Sequence, residues 1–132
     1  MDQSPLVNEE IEAAGELLRE FANYAAIESA FWLRPDPEDR CDLYIVSDQI
    51  EAKHSREALM ETVRIRRKLD DPHLESLLVR FVRSDDKRAQ AAAELRRRYP
   101  NAKAIHYRNK NFADRDTDEL YLYPQLTPAP VA

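Results

Sequence analysis

The chain has 132 residues, 43% hydrophobic and 34% charged, with a net charge of −5; this suits one well-solvated globular domain and excludes a disordered or fibrous chain. A single glycine, Gly15, and a single cysteine, Cys41, exclude the P-loop, the dinucleotide-binding fingerprint, the glycine-rich kinase lid and the G-x-S-x-G elbow, as well as any internal disulfide or multi-cysteine metal centre. No apolar run is long enough to span a bilayer, and Met1-Asp2-Gln3-Ser4-Pro5 lacks the regions of a secretory signal, so a cytoplasmic location is expected.

Ser4-Pro5 reads as a helix start, with Ser4 as cap and Pro5 at the first helical position. Val7, Ile11, Ala14, Leu18, Phe21 and Ala25 then recur at helical spacing to about residue 28, a stripe that serves as core or as a dimer seam. Gly15 lies within that helix and is expected at a close packing contact. Residues 30–33 and 43–46 read as strands of an antiparallel hairpin around the loop Pro35-Asp36-Pro37-Glu38-Asp39. Ser55 starts a second helix with an apolar side of Leu59, Thr62, Val63, Ile65 and Leu69, closed by Asp70-Asp71-Pro72. The run 77–82 reads as a central strand covered on both faces.

A third helix over 87–99 is capped by Ser84, Asp85 or Asp86, buries Ala89, Ala92, Ala93 and Leu95, and stops at Pro100-Asn101. Residues 104–107 form a further strand, with another over 120–123 before a proline-containing tail from about residue 124. The order is αββαβαβ(β). It predicts an α/β fold in a single domain over residues 1–132, with three helices and a mixed, largely parallel sheet of four to five strands.

In an open parallel sheet, ligands gather outside the carboxyl ends of the strands. That rule picks out Asp48, His54, Asp85, Asp86, Arg108 and Lys110 as binding candidates, acids facing bases and a histidine. The competing reading gives the same residues structural duties: caps at Ser84 to Asp86, and left-handed turns at Asn109 and Asn111 in a chain without spare glycine. His54, His73 and His106 lack metal-ligand neighbours at helical or strand spacing, and no cofactor or metal is expected. Cys41 lacks an evident histidine base and reads as a small buried hydrophobe.

Two partial resemblances concern catalysis. Pro35-Asp36, followed after fourteen residues by Glu51-Ala52-Lys53, resembles the signature of PD-(D/E)xK nucleases. The resemblance implies Asp36 or Asp42 with Glu51 as metal ligands and Lys53 polarising the attacking water. Ala30-Phe31-Trp32-Leu33 followed by Arg40-Cys41-Asp42-Leu43-Tyr44-Ile45-Val46 resembles small nucleotidyltransferase domains. Because the loop Gly-Ser is missing and Arg40 stands where the first metal-binding aspartate belongs, that resemblance implies a degenerate domain without activity.

Charge is segregated: residues 1–52 carry a net −10, residues 53–110 a net +8 and the remainder −3. Arg64, Arg66, Arg67 and Lys68, with Arg96, Arg97 and Arg98, could meet phosphates, but they also suit solvated helix ends with Glu61 and Glu94 in pairing distance. Leu120, Tyr121, Leu122 and Tyr123 alternate near the end of the chain and could add a strand to a neighbouring sheet. The expectation is therefore a non-catalytic interaction or regulatory domain, self-associating through the first helix or this last strand. A protein partner or a homo-oligomer is favoured over nucleic acid, and no membrane partner is expected.

Overall fold

Apolar residues three and four apart fold Asn8–Phe21 into α1, with Glu9 and Glu10 at its positive end and Glu10 Oε1 accepting from the Val7 N–H at 3.4 Å. The computed structural model describes residues 6–101 and 103–124, so the expected start at Ser4-Pro5 and the tail beyond Pro124 lie outside the described residues. α1 ends short of the expected boundary near residue 28 because tertiary pairing claims the chain. Ala26 N–H bonds Gln49 Oε1 at 2.7 Å, and Glu28 N–H bonds the Val46 carbonyl at 2.8 Å.

Ser29–Arg34 (β1) and Asp42–Val46 (β2) form the expected antiparallel hairpin, in register from Ser29↔Val46 to Leu33↔Asp42. Ser55–Leu69 forms α2, ending where expected but with His54 rather than Ser55 at the cap position, and Asp70 closes it at φ 48, a left-handed position that glycine would usually fill. Its buried side is Ala58, Thr62 and Ile65, which leaves Leu59 and Met60 exposed. Val79–Val82 (β3) pairs parallel to β2 and forms an edge of the sheet rather than its centre. Lys87–Arg98 (α3) starts at Asp86, whose carboxylate accepts from the Arg88 N–H at 2.8 Å.

Ile105–Phe112 (β4) and Arg115–Leu122 (β5) form a hairpin that extends well beyond the two short strands expected there. Its turn residues, Ala113 at φ 55 and Asp114 at φ 64, occupy left-handed positions for which Asn-Gly is the usual choice. The five-stranded sheet has the order β3-β2-β1-β5-β4.

The sheet is mixed, but β2 with β3 is its parallel pair and the other three neighbouring pairs are antiparallel. α2 acts as the expected crossover between parallel strands. After α3, however, the chain crosses to the far edge and returns through a tight turn, inserting β5 against β1. Helices cover both faces. α1 and α2 pack over Trp32, Leu43 and Ile45, while α3 lays Ala89, Ala92 and Leu95 near Phe31, Tyr44 and Leu122. Each fully buried large side chain contributes about 1.5–3 kcal/mol of transfer free energy.

The stripe of α1 is core: Ala14, Leu17, Leu18 and Phe21 are fully buried. Gly15 is a packing position, as its place in the helix predicts, but the contact is not tight. A Cβ there would meet Tyr123 Cε1 at 3.6 Å, an ordinary van der Waals separation. Gly15→Ala should therefore raise stability by about 1 kcal/mol through helix propensity and a less flexible unfolded chain. Urea denaturation would register this as a higher midpoint with an unchanged slope.

Candidate functional site

The strand-end candidates separate into two groups at opposite ends of the sheet. At the carboxyl end of β2, the Asp48 carboxylate accepts from the Ser84 N–H at 2.8 Å and from the Ser84 hydroxyl at 2.6 Å, and Arg83 donates to the Asp48 carbonyl at 3.1 Å. The Ser84 bonds hold the Asp48 carboxyl below its ordinary value, whereas burial and the nearby Asp48 push Glu28 up. Asp86 caps α3, and its carboxylate pairs with Arg88, which also donates to Tyr44 Oη at 3.0 Å. His54 stands at the cap position of α2, and Asp85 is exposed beside Asp86. These acids mainly hold the β3–α3 connection.

Arg108 and Lys110 do not join them. β4 runs opposite to β2, and Arg108 pairs in register with Glu119, itself paired with Arg34 at the carboxyl end of β1. The expected convergence of Asp48, His54, Asp85 and Asp86 with Arg108 and Lys110 assumed parallel strands; the antiparallel β4 separates the two groups.

The nuclease set is divided in the same way. Asp36 precedes β2 and pairs with Arg115 at 2.7 Å, and Asp42 begins β2, where it accepts from Arg80 Nε at 2.9 Å. Glu51 and Lys53 lie past the other end of β2, exposed and paired with each other at 3.4 Å. A five-residue strand, roughly 15 Å long, stands between the two halves. Among the described residues no group of three or more His, Cys, Asp or Glu could hold a metal ion, and no helix is long and apolar enough to cross a membrane.

The sheet itself buries a polar chain that has no local sequence signature. Arg34 and Glu119 face each other across β1 and β5 with side chains 5% and 1% exposed, the guanidinium 3.7 Å from Glu119 Oε1 and 3.7 Å from Asp118. Glu119 Oε1 also accepts from the Leu6 N–H at 3.2 Å, and its Oε2 lies 2.7 Å from His106 Nε2 on β4. Arg34 also lines a cleft of about 470 Å³ with Glu10, Trp32, Arg40, Cys41 and His73. Burial pushes the Cys41 thiol up to about 12, which keeps it protonated and unreactive, in line with its reading as a small hydrophobe.

The two segments singled out for association are both part of the interior. Leu120, Tyr121, Leu122 and Tyr123 could add a strand either to a neighbouring sheet or within their own; they do the latter, with β5 clamped between β1 and β4. Leu120, Leu122 and Tyr123 are buried there. Trp32 Nε1 donates to Tyr123 Oη at 2.9 Å, which in turn donates to the Ile11 carbonyl at 2.7 Å. The physical reason is that residues 119–122 pair with β1 on one side and with β4 on the other, while the polar residues 115–117 lengthen the hairpin with β4 alone.

The long open edge is β4. It spans eight residues, pairs with β5 alone, and exposes His106, Arg108, Asn109, Lys110 and Asn111. Asn109 sits at φ 56, the left-handed duty expected of it, between the pairs Arg108↔Glu119 and Lys110↔Thr117; Asn111 takes no such conformation. The basic helix ends are largely satisfied within the fold. Glu61 receives Arg64 at 3.0 Å, Glu20 receives Lys68 at 3.2 Å, the Leu77 carbonyl receives Arg66 at 3.0 Å, and Glu94 pairs with Arg97. No known protein family, curated protein or solved structure matches the chain.

Two measurements probe these contacts. Glu119→Leu leaves Arg34 buried with its main counter-charge removed, and should cost about 3 kcal/mol by urea denaturation, while Arg34→Met with Glu119→Leu should recover most of the loss. The hydrogen bond from Arg88 is the largest cause holding Asp86 below its ordinary value. A carboxyl depressed in this way stabilises the fold above the unfolded value of about 4, and that stability is lost as pH falls through the lower folded value. Asp86→Ala should therefore cost about 1 kcal/mol at neutral pH and flatten the acid limb of a stability-versus-pH curve.

Proposed function

We propose that this chain is a non-catalytic protein-interaction domain whose working surface is the open edge of β4. The observation that carries the reading is the asymmetry of the sheet: one edge, β3, has four residues, while the other, β4, has eight and pairs on one side only. A strand edge presents a row of backbone donors and acceptors, and adding an extended segment from another protein satisfies them. Association through the α1 stripe or through residues 120–123 would require opening the core. Addition at β4 leaves every core contact in place.

The acids that a catalytic reading would need have other duties. Asp42 holds Arg80, Asp48 holds Ser84, and Asp86 caps α3. The test places a photo-crosslinking residue at exposed Asn111 on β4, and separately at exposed Glu57 on α2, in cells that make the protein. A discrete adduct to one partner, or to a second copy, is expected from position 111 and not from position 57. Equal adducts at both positions, or none at 111, would overturn the proposal.

A further inference from the structure

We infer that the segment taken up along β4 is an extended acidic one, with carboxylates on both of its faces; this rests on the reading of β4 as the working edge. In the basic half of the chain Arg64, Lys68, Arg80, Arg88 and Arg97 pair with acids of the same fold, while exposed Arg56, Arg67 and Lys103, with no ion pair among the described residues, lie outside the strands. On β4 the balance differs. Arg108 has no ion pair among the described residues, although Glu119 is its cross-strand neighbour, because that carboxylate is buried and directed to Arg34, Leu6 and His106. Lys110 places its ammonium 5.0 Å from the centre of the Tyr107 ring and meets no described carboxylate.

A strand docked on β4 would set side chains about 4.5–5.5 Å from Arg108 and from Lys110, near enough for each to meet a carboxylate. Asn109 at φ 56 interrupts the alternation between them, and Lys110 lies with Tyr107 and Phe112 on the α3 side while Arg108 shares the side of His106, so the complementary segment carries carboxylates on both of its faces. The same charges argue against the two nearest alternatives. A second β4 in antiparallel pairing would bring Arg108 and Lys110 against their own kind, and like charges directly opposite are destabilising. A nucleic-acid backbone would meet these two cations but would leave the edge amides and carbonyls unpaired.

The experiment is a fluorescence anisotropy titration of the full chain with three labelled probes: a peptide of adjacent glutamate pairs separated by valines, its lysine and valine counterpart, and a single-stranded oligonucleotide. The glutamate peptide should bind at least about tenfold more tightly than the lysine peptide, and should weaken as salt rises from about 50 to about 300 mM. Backbone amide shifts on binding should be confined to β4 and its neighbours. Charge reversal in Arg108→Glu with Lys110→Glu should cost about tenfold for the glutamate peptide and reverse the preference toward the lysine peptide.

Both positions are exposed, so an unchanged thermal midpoint would confirm that the variant folds. Tighter binding of the oligonucleotide with the same dependence on Arg108 and Lys110 would overturn the inference in favour of nucleic acid. Peptide binding indifferent to the charge reversal, or shifts located on α2, would overturn it as well. If the glutamate peptide fails to bind while a crosslinker at position 111 still captures a partner, the acidic assignment falls and the interaction reading stands. Failure of the crosslink removes both.

Discussion

The pairing of β1 with β5 joins residues from opposite ends of the chain, Phe31↔Leu122 through Arg34↔Glu119, and everything else in the sheet hangs on it. Without it, β3-β2-β1 and β5-β4 would be two separate ribbons, each with an uncovered edge. The pairing is long-range in sequence, so its loop-closure cost comes before its contacts form, which favours slow, late consolidation of the sheet. The buried Arg34 and Glu119 pair adds specificity of register. A slip of one residue would turn one of the two charges toward the apolar layer under α3 and leave the other buried without its partner.

The same constraint explains why the polar residues at the strand ends are mostly structural. With no glycine to relax turns, the chain relies on side-chain hydrogen bonds to hold its connections: Asp48 for the β3–α3 turn, Asp86 for the start of α3, and Asp71 for the turn over 72–74, where it accepts from the His73 N–H at 2.9 Å. Acids used in this way have little freedom to serve a ligand. Exposed β4, with its backbone edge open, is the part of the sheet whose chemistry is not already spent.

Legibility in the sequence followed how local each feature is. α2 could be bounded from Ser55, the helical spacing and Asp70-Asp71-Pro72, because start, periodicity and stop all lie within the eighteen residues from 55 to 72. Its buried face was displaced by about one residue, to Ala58, Thr62 and Ile65, since Leu59 is more hydrophobic than Ala58 and periodicity alone favours it. The β4–β5 hairpin was only half visible. Residues 108–119 are nearly all polar, because an edge strand lacks the apolar alternation that marks a half-buried one. The chain from Arg34 through Glu119 to His106 could not be read at all: its members are far apart in sequence, and a glutamate and an arginine are more often exposed than buried.

The four left-handed residues, Asp70, Asn109, Ala113 and Asp114, carry a consequence for the denatured ensemble. Each costs the native state something that glycine would avoid, most of all Ala113, which lacks the short polar side chain that eases αL for Asn and Asp. A chain with one glycine in 132 residues is also stiffer when unfolded, with fewer backbone states to lose on folding. Part of what keeps this protein folded therefore resides outside the native structure, in the restricted conformational range of the chain it unfolds to.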